Sequence, residues 1–306
     1  MAVIPAWVLL ALLSMAAQTG MALTNEYFKV RALHMLWWMR LIAIIALLPF
    51  MHFYTPPADP WFYIYVAVGA VIFCYFDLVY FGLTAKSGAG VVTRIGPLVT
   101  AGTFVLWTAI TPSLVADYMT TPLRTAGIVA SLAGSVFFSM RLKNCPVSWG
   151  ALKIMAPYML LASIGICFGK LAMQHAAPHE GVFYYTFLQS IIVWVLYAGM
   201  AVAPASWKFV PHLDLNSSLR DKRVFIAGLC AAAGWIVATL SKWSAISTVE
   251  NPAYVGTVSL CEPFLILLIY RLLQRKEEAK IADGIGIVAC AVALVFFTQL
   301  YGRPTH

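Results

Sequence analysis

Charge is what this sequence has least of. Only 10% of its 306 residues are Asp, Glu, Lys or Arg, while 62% are hydrophobic. A soluble domain carries about 25% charged residues, so this composition excludes a soluble fold. Paired cysteines are missing too. Of the six cysteines, Cys74, Cys167, Cys230, Cys261 and Cys290 lie within apolar runs and Cys145 lies in a loop, with no C-x-x-C spacing. Neither a disulfide framework nor a metal cluster is therefore expected. No glycine-rich phosphate loop and no nucleophile elbow appear, which removes nucleotide hydrolysis and serine-hydrolase chemistry. Long polar segments are absent as well: the longest connector, around residues 204–223, is too short to be a domain.

What is present is a series of apolar runs, each about long enough to cross a bilayer. Ten are predicted, at residues 4–23, 35–53, 61–83, 89–110, 123–140, 152–175, 182–203, 224–244, 253–272 and 281–301. The net charge of +8 belongs to the connectors rather than to a nucleic-acid surface. Sixteen of the twenty Lys and Arg residues fall in or beside loops that follow odd-numbered spans; Arg124, Lys170, Lys242 and Arg303 are the other four. The positive-inside rule then puts the odd loops in the cytoplasm and both termini outside, in a cell's inner (plasma) membrane. No Lys or Arg precedes the first run, whereas Lys29 and Arg31 follow it, so that run is expected to be retained as a span. Asn216-Ser-Ser218, a match to the glycosylation acceptor, falls in a predicted cytoplasmic loop and is read as chance.

Ten spans divide near Cys145 into two sets of five, residues 1–144 and 145–306. Each half carries a proline in its fourth span, Pro97 and Pro263, and glycines in its fifth, Gly127 to Gly134 and Gly284 to Gly286. The segments around Arg40 and Gln189 can be laid side by side. Five is odd, so tandem halves must insert with opposite orientation. Inverted repeats of this kind are a hallmark of secondary transporters, whose sites lie near the midplane between the halves. The fold expected is an all-α polytopic membrane protein with ten transmembrane helices arranged as two inverted five-helix repeats.

Ionisable residues within spans mark sites by default, because a charge in hydrocarbon is costly. Glu262 lies nearest mid-depth, and Pro263 beside it removes a backbone donor and should kink the helix. Arg40 and Asp77 lie at similar depth on the cytoplasmic side and can pair across helices. Arg94 is shallow in the fourth span. Gln189 is in the seventh, and Lys170 and Lys242 lie near outer ends, where a lysine can snorkel to the interface. Trp7, Trp61, Trp149, Trp207 and Trp243 sit near span ends as an interfacial belt would. Trp235 is central and follows the small residues Ala231 to Gly234, a pattern that lets helices approach while a large ring walls a cavity. Tyr158, Tyr184 and Tyr185 are hydroxyl donors by position alone. An alternative is a membrane enzyme using His175, His179 and Glu180, but Pro178 interrupts the helical spacing that would set both imidazoles on one face.

The stretch from Lys242 through Asn251 to Glu262 and Pro263 resembles the eighth-to-ninth-span junction of the EamA-type families of the drug/metabolite transporter superfamily. Arg275 to Gly286, with Glu277 or Glu278 in the acid position, and Gly169-Lys170-Leu171 are similar to further short motifs of that family. In the first half, Gly96-Pro97 stands where the family pattern has Glu-Pro, and Ala116-Asp-Tyr118 surrounds the expected acid. The resemblance implies two inverted five-helix repeats around a central cavity and transport of a small organic metabolite, by export or exchange. Its ten-span members are generally drawn with both termini in the cytoplasm, opposite to the orientation that the charge split here supports. The reading is thus a transporter rather than an enzyme, with no cofactor and no metal. Its partners are a small metabolite, membrane lipid and candidate coupling protons, and not nucleic acid. The predicted pathway residues are Glu262, Asp77, Arg40, Trp235, Gln189 and Lys170, with kinks at Pro97 and Pro263.

Overall fold

The computed structural model describes residues 4–89, 96–141, 149–202, 221–274 and 281–300, and among these the chain is helical with no strand. The helices are α1 (Ala6–Phe28), α2 (Ala32–Leu47), α3 (Pro60–Ser87), α4 (Gly96–Ile110), α5 (Pro112–Thr120), α6 (Pro122–Arg141), α7 (Trp149–Gln174), α8 (Pro178–Val202), α9 (Lys222–Thr248), α10 (Ala253–Ser259), α11 (Glu262–Leu272) and α12 (Ile281–Leu300). Eight stretches are long and apolar enough to cross a membrane, the α10–α11 pair counting as one 20-residue span; the sharply bent pair α4–α5 makes nine if it is one span. Exposed Leu, Val, Ile and Phe side chains cover the outward faces of these helices, as a lipid-facing surface requires. Arg94, Cys145, Asn216, Glu277 and Glu278 lie outside the described residues.

Prolines punctuate the helices. The residue before a proline is driven out of the helical region, and Thr111 and Thr121, each followed by proline, are the non-helical residues that bound α5. This corrects the expected loop between the fourth and fifth spans: it holds a nine-residue helix bent 99° from α4. Asp59 caps α3 by accepting from Trp61 N at 2.9 Å, and Asp221 caps α9 by accepting from Arg223 N at 2.8 Å.

Helices from the two halves of the chain interleave. The α1 helix packs along α9, α3 along α7, α2 against α8 and α9, α4 against α7, and α6 against α12. Small residues set these approaches. A Cβ at Gly234 would sit 2.6 Å from Met21 Cγ, one at Gly228 2.5 Å from Trp38 Cβ, and one at Gly127 2.4 Å from the Phe297 ring. Ser14 Oγ donates to Ala238 O at 2.9 Å. With Gly234 against Met21, this contact shows that α1 and α9 run antiparallel.

Candidate functional site

Helices α1, α2, α3, α4, α7, α8, α9, α10 and α11 all contribute to the wall of a cavity of about 210 Å³. The lining is periodic. Phe73, Phe76, Asp77 and Tyr80 contribute one face of α3; Gly96, Val99, Thr100 and Thr103 one face of α4; Trp235, Ala238, Thr239, Lys242 and Ile246 one face of α9. Each set follows the i, i+3, i+4, i+7 spacing of a single helical stripe. Here the stripe selects a shared cavity, because the other faces of these helices meet neighbours or lipid.

Arg40 Nη2 donates to Asp77 Oδ2 at 2.5 Å, and the Arg40 guanidinium stacks on the Trp235 ring at 4.1 Å. Arg40 is 1% exposed; a charge partner and a ring face offset part of its desolvation, while its Nε and Nη1 have no hydrogen-bond partner among the described residues. Trp235 is buried and lines the cavity. Gln189, which the internal repeat set against Arg40, also lines the cavity, and its Oε1 is buried without a hydrogen-bond partner among the described residues.

Glu262 is 7% exposed, and its Oε1 too is buried without a hydrogen-bond partner among the described residues. The helix line breaks immediately before it. Leu260 N divides between Gly256 O and Thr257 O, Cys261 N bonds three residues back to Val258 O, and α11 starts afresh at Glu262 with Pro263 in its first turn. The interruption falls just before Pro263, and the acid lies at the N-terminal end of the second segment, where helix N–H groups favour negative charge. Pro97 stands in the first turn of α4 as described; a kink in a longer span there would involve residues 90–95, outside the described part.

Two expectations are corrected. Lys242, expected to snorkel outward, lies on the cavity stripe of α9, within electrostatic range of Asp77 and Glu262. The helix runs on to Thr248, which keeps this lysine well inside. Trp243, expected in an interfacial belt, is 2% exposed, packs on Gly169 and meets the Tyr185 ring at 4.5 Å. Lys170, expected on the pathway, is not among the lining residues. Its ammonium donates to Ile246 O and Val249 O, each at 2.8 Å, and to Ser247 O at 3.3 Å, satisfying the carbonyls that end α9.

Polar networks close the bundle at both ends. Where α9 finishes, Trp107 Nε1 donates to Glu250 O at 2.9 Å, Arg124 Nη2 to Glu250 Oε2 at 3.1 Å, and the Tyr118 and Tyr254 hydroxyls meet at 2.7 Å. Where α1 finishes, Asn25 Nδ2 donates to Phe81 O at 2.7 Å, and Glu26 accepts from Ala89 N and the Tyr270 hydroxyl. The antiparallel α1–α9 pair places these networks on opposite sides of the cavity.

The His175, His179 and Glu180 residues do not converge. His175 Nδ1 bonds Asp59 Oδ2 at 2.6 Å, Glu180 bonds the Thr55 hydroxyl, and His179 is exposed. Among the described residues no group of three or more His, Cys, Asp or Glu is placed to hold a metal. The Trp61 amide first, and then His175, hold the Asp59 carboxyl below its ordinary pKa.

No family model matches the chain, and no curated protein does. Eleven chains of solved structures are similar. One, described only as "Crystal structure of protein", superposes with a TM-score of 0.62 at 13% sequence identity, covering 98% of this chain and 99% of that one. At that identity the likeness is one of fold.

Proposed function

We propose that this protein is a ten-span secondary transporter that moves a small organic metabolite across a cell's plasma membrane by alternating access. The observation that carries the reading is the cavity itself. It lies between helices drawn from both halves, holds four charged side chains, and has a polar network at either end. Costly intramembrane charges facing a cavity mark substrate or ion paths. Counting α7 and the bent α4–α5 pair as spans brings the total to ten.

An inverted repeat of residues 1–144 and 145–306 is supported by the packing. Exchanging α1 with α7, α2 with α8, α3 with α9, α4 with α10–α11, and α6 with α12 turns the α1–α9 contact into α7–α3. The same exchange turns α2–α9 into α8–α3 and α4–α7 into α10–α1, and it maps α6–α12 and α2–α8 onto themselves. Each of these contacts is present. The short motifs around Glu262 and Lys170 accord with an EamA-type transporter, and the Lys/Arg distribution with termini outside. The separate engagement of His175 and Glu180 favours transport over the enzyme reading.

A metabolite that accumulates outside cells overexpressing the protein supplies the substrate for the test. In vesicles reconstituted with purified protein, that compound crosses intact, and Glu262→Gln slows it roughly tenfold or more, about 1.4 kcal/mol of barrier. A wild-type rate for Glu262→Gln across about pH 6–8, the range a tuned carboxylate would span, removes Glu262 from the mechanism. Product formed in detergent without vesicles would establish an enzyme instead.

A further inference from the structure

We propose that α5 is an interfacial helix whose partner is the lipid leaflet itself. It lies near the membrane plane with Val115 and Met119 at the acyl-chain boundary and Ser113 and Asp117 in water, and it carries part of the polar network that closes the bundle where α9 finishes. The inference goes beyond the transporter reading and takes from it only that α4 crosses the membrane; in the orientation proposed there, the leaflet is the outer one. The geometry starts from two proline breaks. Thr111 precedes Pro112 and Thr121 precedes Pro122, so α5 is cut free of α4 and α6, and it turns 99° from α4. A helix at nearly a right angle to a spanning helix runs along the membrane surface rather than through it.

Around its own axis α5 has three faces. Leu114 and Tyr118, four residues apart, are buried. The Tyr118 ring stacks on Phe104 at 6.0 Å, and its hydroxyl meets that of Tyr254 at 2.7 Å. Each residue advances about 100° around a helix. The residues one step after the buried pair, Val115 and Met119, therefore form one flank. Those one step before it, Ser113 and Asp117, form the other, roughly 160° away. Both flanks are exposed, Met119 at 79%. One is apolar and the other polar. A helix in bulk water leaves the apolar flank wet, and one in hydrocarbon leaves Asp117 unsolvated. A helix at the boundary suits both flanks while its third face rests on the bundle. Ile110 before α5 and Leu123 after it are exposed and apolar too, so the lipid-facing surface continues past both ends of the helix.

The α5 helix has no Lys or Arg, so its contact is with acyl chains rather than with anionic headgroups. Its seat bears on the cavity. Thr125 Oγ1 donates to Tyr118 O at 2.7 Å, Arg124 pairs with Glu250 at 3.1 Å, and Tyr254 directly follows Ala253, which lines the cavity. Lipid on one flank of α5 thus helps to hold the residues that close that end.

The test reads the native Met119 methyl group by NMR of the full chain in phosphatidylcholine nanodiscs, its signal identified by its loss in Met119→Leu. The probes are a phosphatidylcholine bearing a nitroxide near the top of its acyl chain and a water-soluble gadolinium chelate. The lipid nitroxide is expected to broaden the Met119 signal severalfold more than the chelate does. In Ser113→Met the added methyl is expected to show the reverse order. Where Ser113→Met does not fold, Thr120→Met supplies an exposed methyl on the same polar side. Any other order at either position overturns the proposal. No transported compound is needed, so the two readings separate. A metabolite that crosses vesicles while this pattern is absent removes the interfacial helix and leaves transport; the pattern without any crossing leaves the interfacial helix and removes transport.

Discussion

Single side chains in this protein divide between those that hold the bundle and those that face the cavity. Lys170 belongs to the first group, because its ammonium is consumed by three carbonyls at the end of α9. Lys170→Met leaves those buried acceptors unmatched, and the thermal midpoint in detergent is expected to fall by the equivalent of about 1–3 kcal/mol. Asp59 belongs to the same group on the rim. Its carboxyl caps α3 and bonds His175, and its pKa is lowered. A depressed carboxylate pKa stabilises the fold above its ordinary value, and that contribution is lost as pH falls through the lowered one. Asp59→Ala is therefore expected to have a lower melting temperature than wild type at neutral pH, the two curves converging in acid. Lys242 and Glu262 are the contrasting case: both line the cavity, Glu262 buried and Lys242 half-buried, with no hydrogen bond or ion pair among the described residues.

Whole helices are placed by their small residues and broken by their prolines. The Ala231 to Gly234 run lets α1 lie directly on α9, with Ala17 O and Met21 in the space that a Gly234 side chain would need. Gly234→Leu wedges this contact and is expected to cost roughly 1–3 kcal/mol, read as a lower thermal midpoint of the purified protein. Because Trp235 is the next residue, that wedge also moves the wall under Arg40. The proline breaks act differently: Pro112 and Pro122 free a short helix between two spans, and Pro263 separates α10 from α11 at the depth of the cavity.

At the scale of the molecule, orientation and symmetry are the matters that bear on transport. With the termini outside, the orientation proposed from the sixteen-to-four division of Lys and Arg, a reporter active only in the cytoplasm, fused after His306, is expected to be silent; activity there reverses the topology. Much of the fold was legible in the sequence, because apolar run length and the cost of bare backbone in lipid leave helices as the form available to such runs. The Glu262–Pro263 break, the Arg40–Asp77 pair and the burial of Trp235 were readable for the same reason: each is a local departure from an otherwise apolar helix. Lys242 carried a signal too, lying seven residues after Trp235 on one stripe, but its nearness to a span end concealed it. Depth along a helix is a property of one segment, and a sequence states it. Which face meets a cavity, whether a lysine caps carbonyls as Lys170 does or lines the cavity as Lys242 does, and which two of four charges pair, depend on helices far apart in the chain. Only the tertiary packing brings those helices within reach of one another.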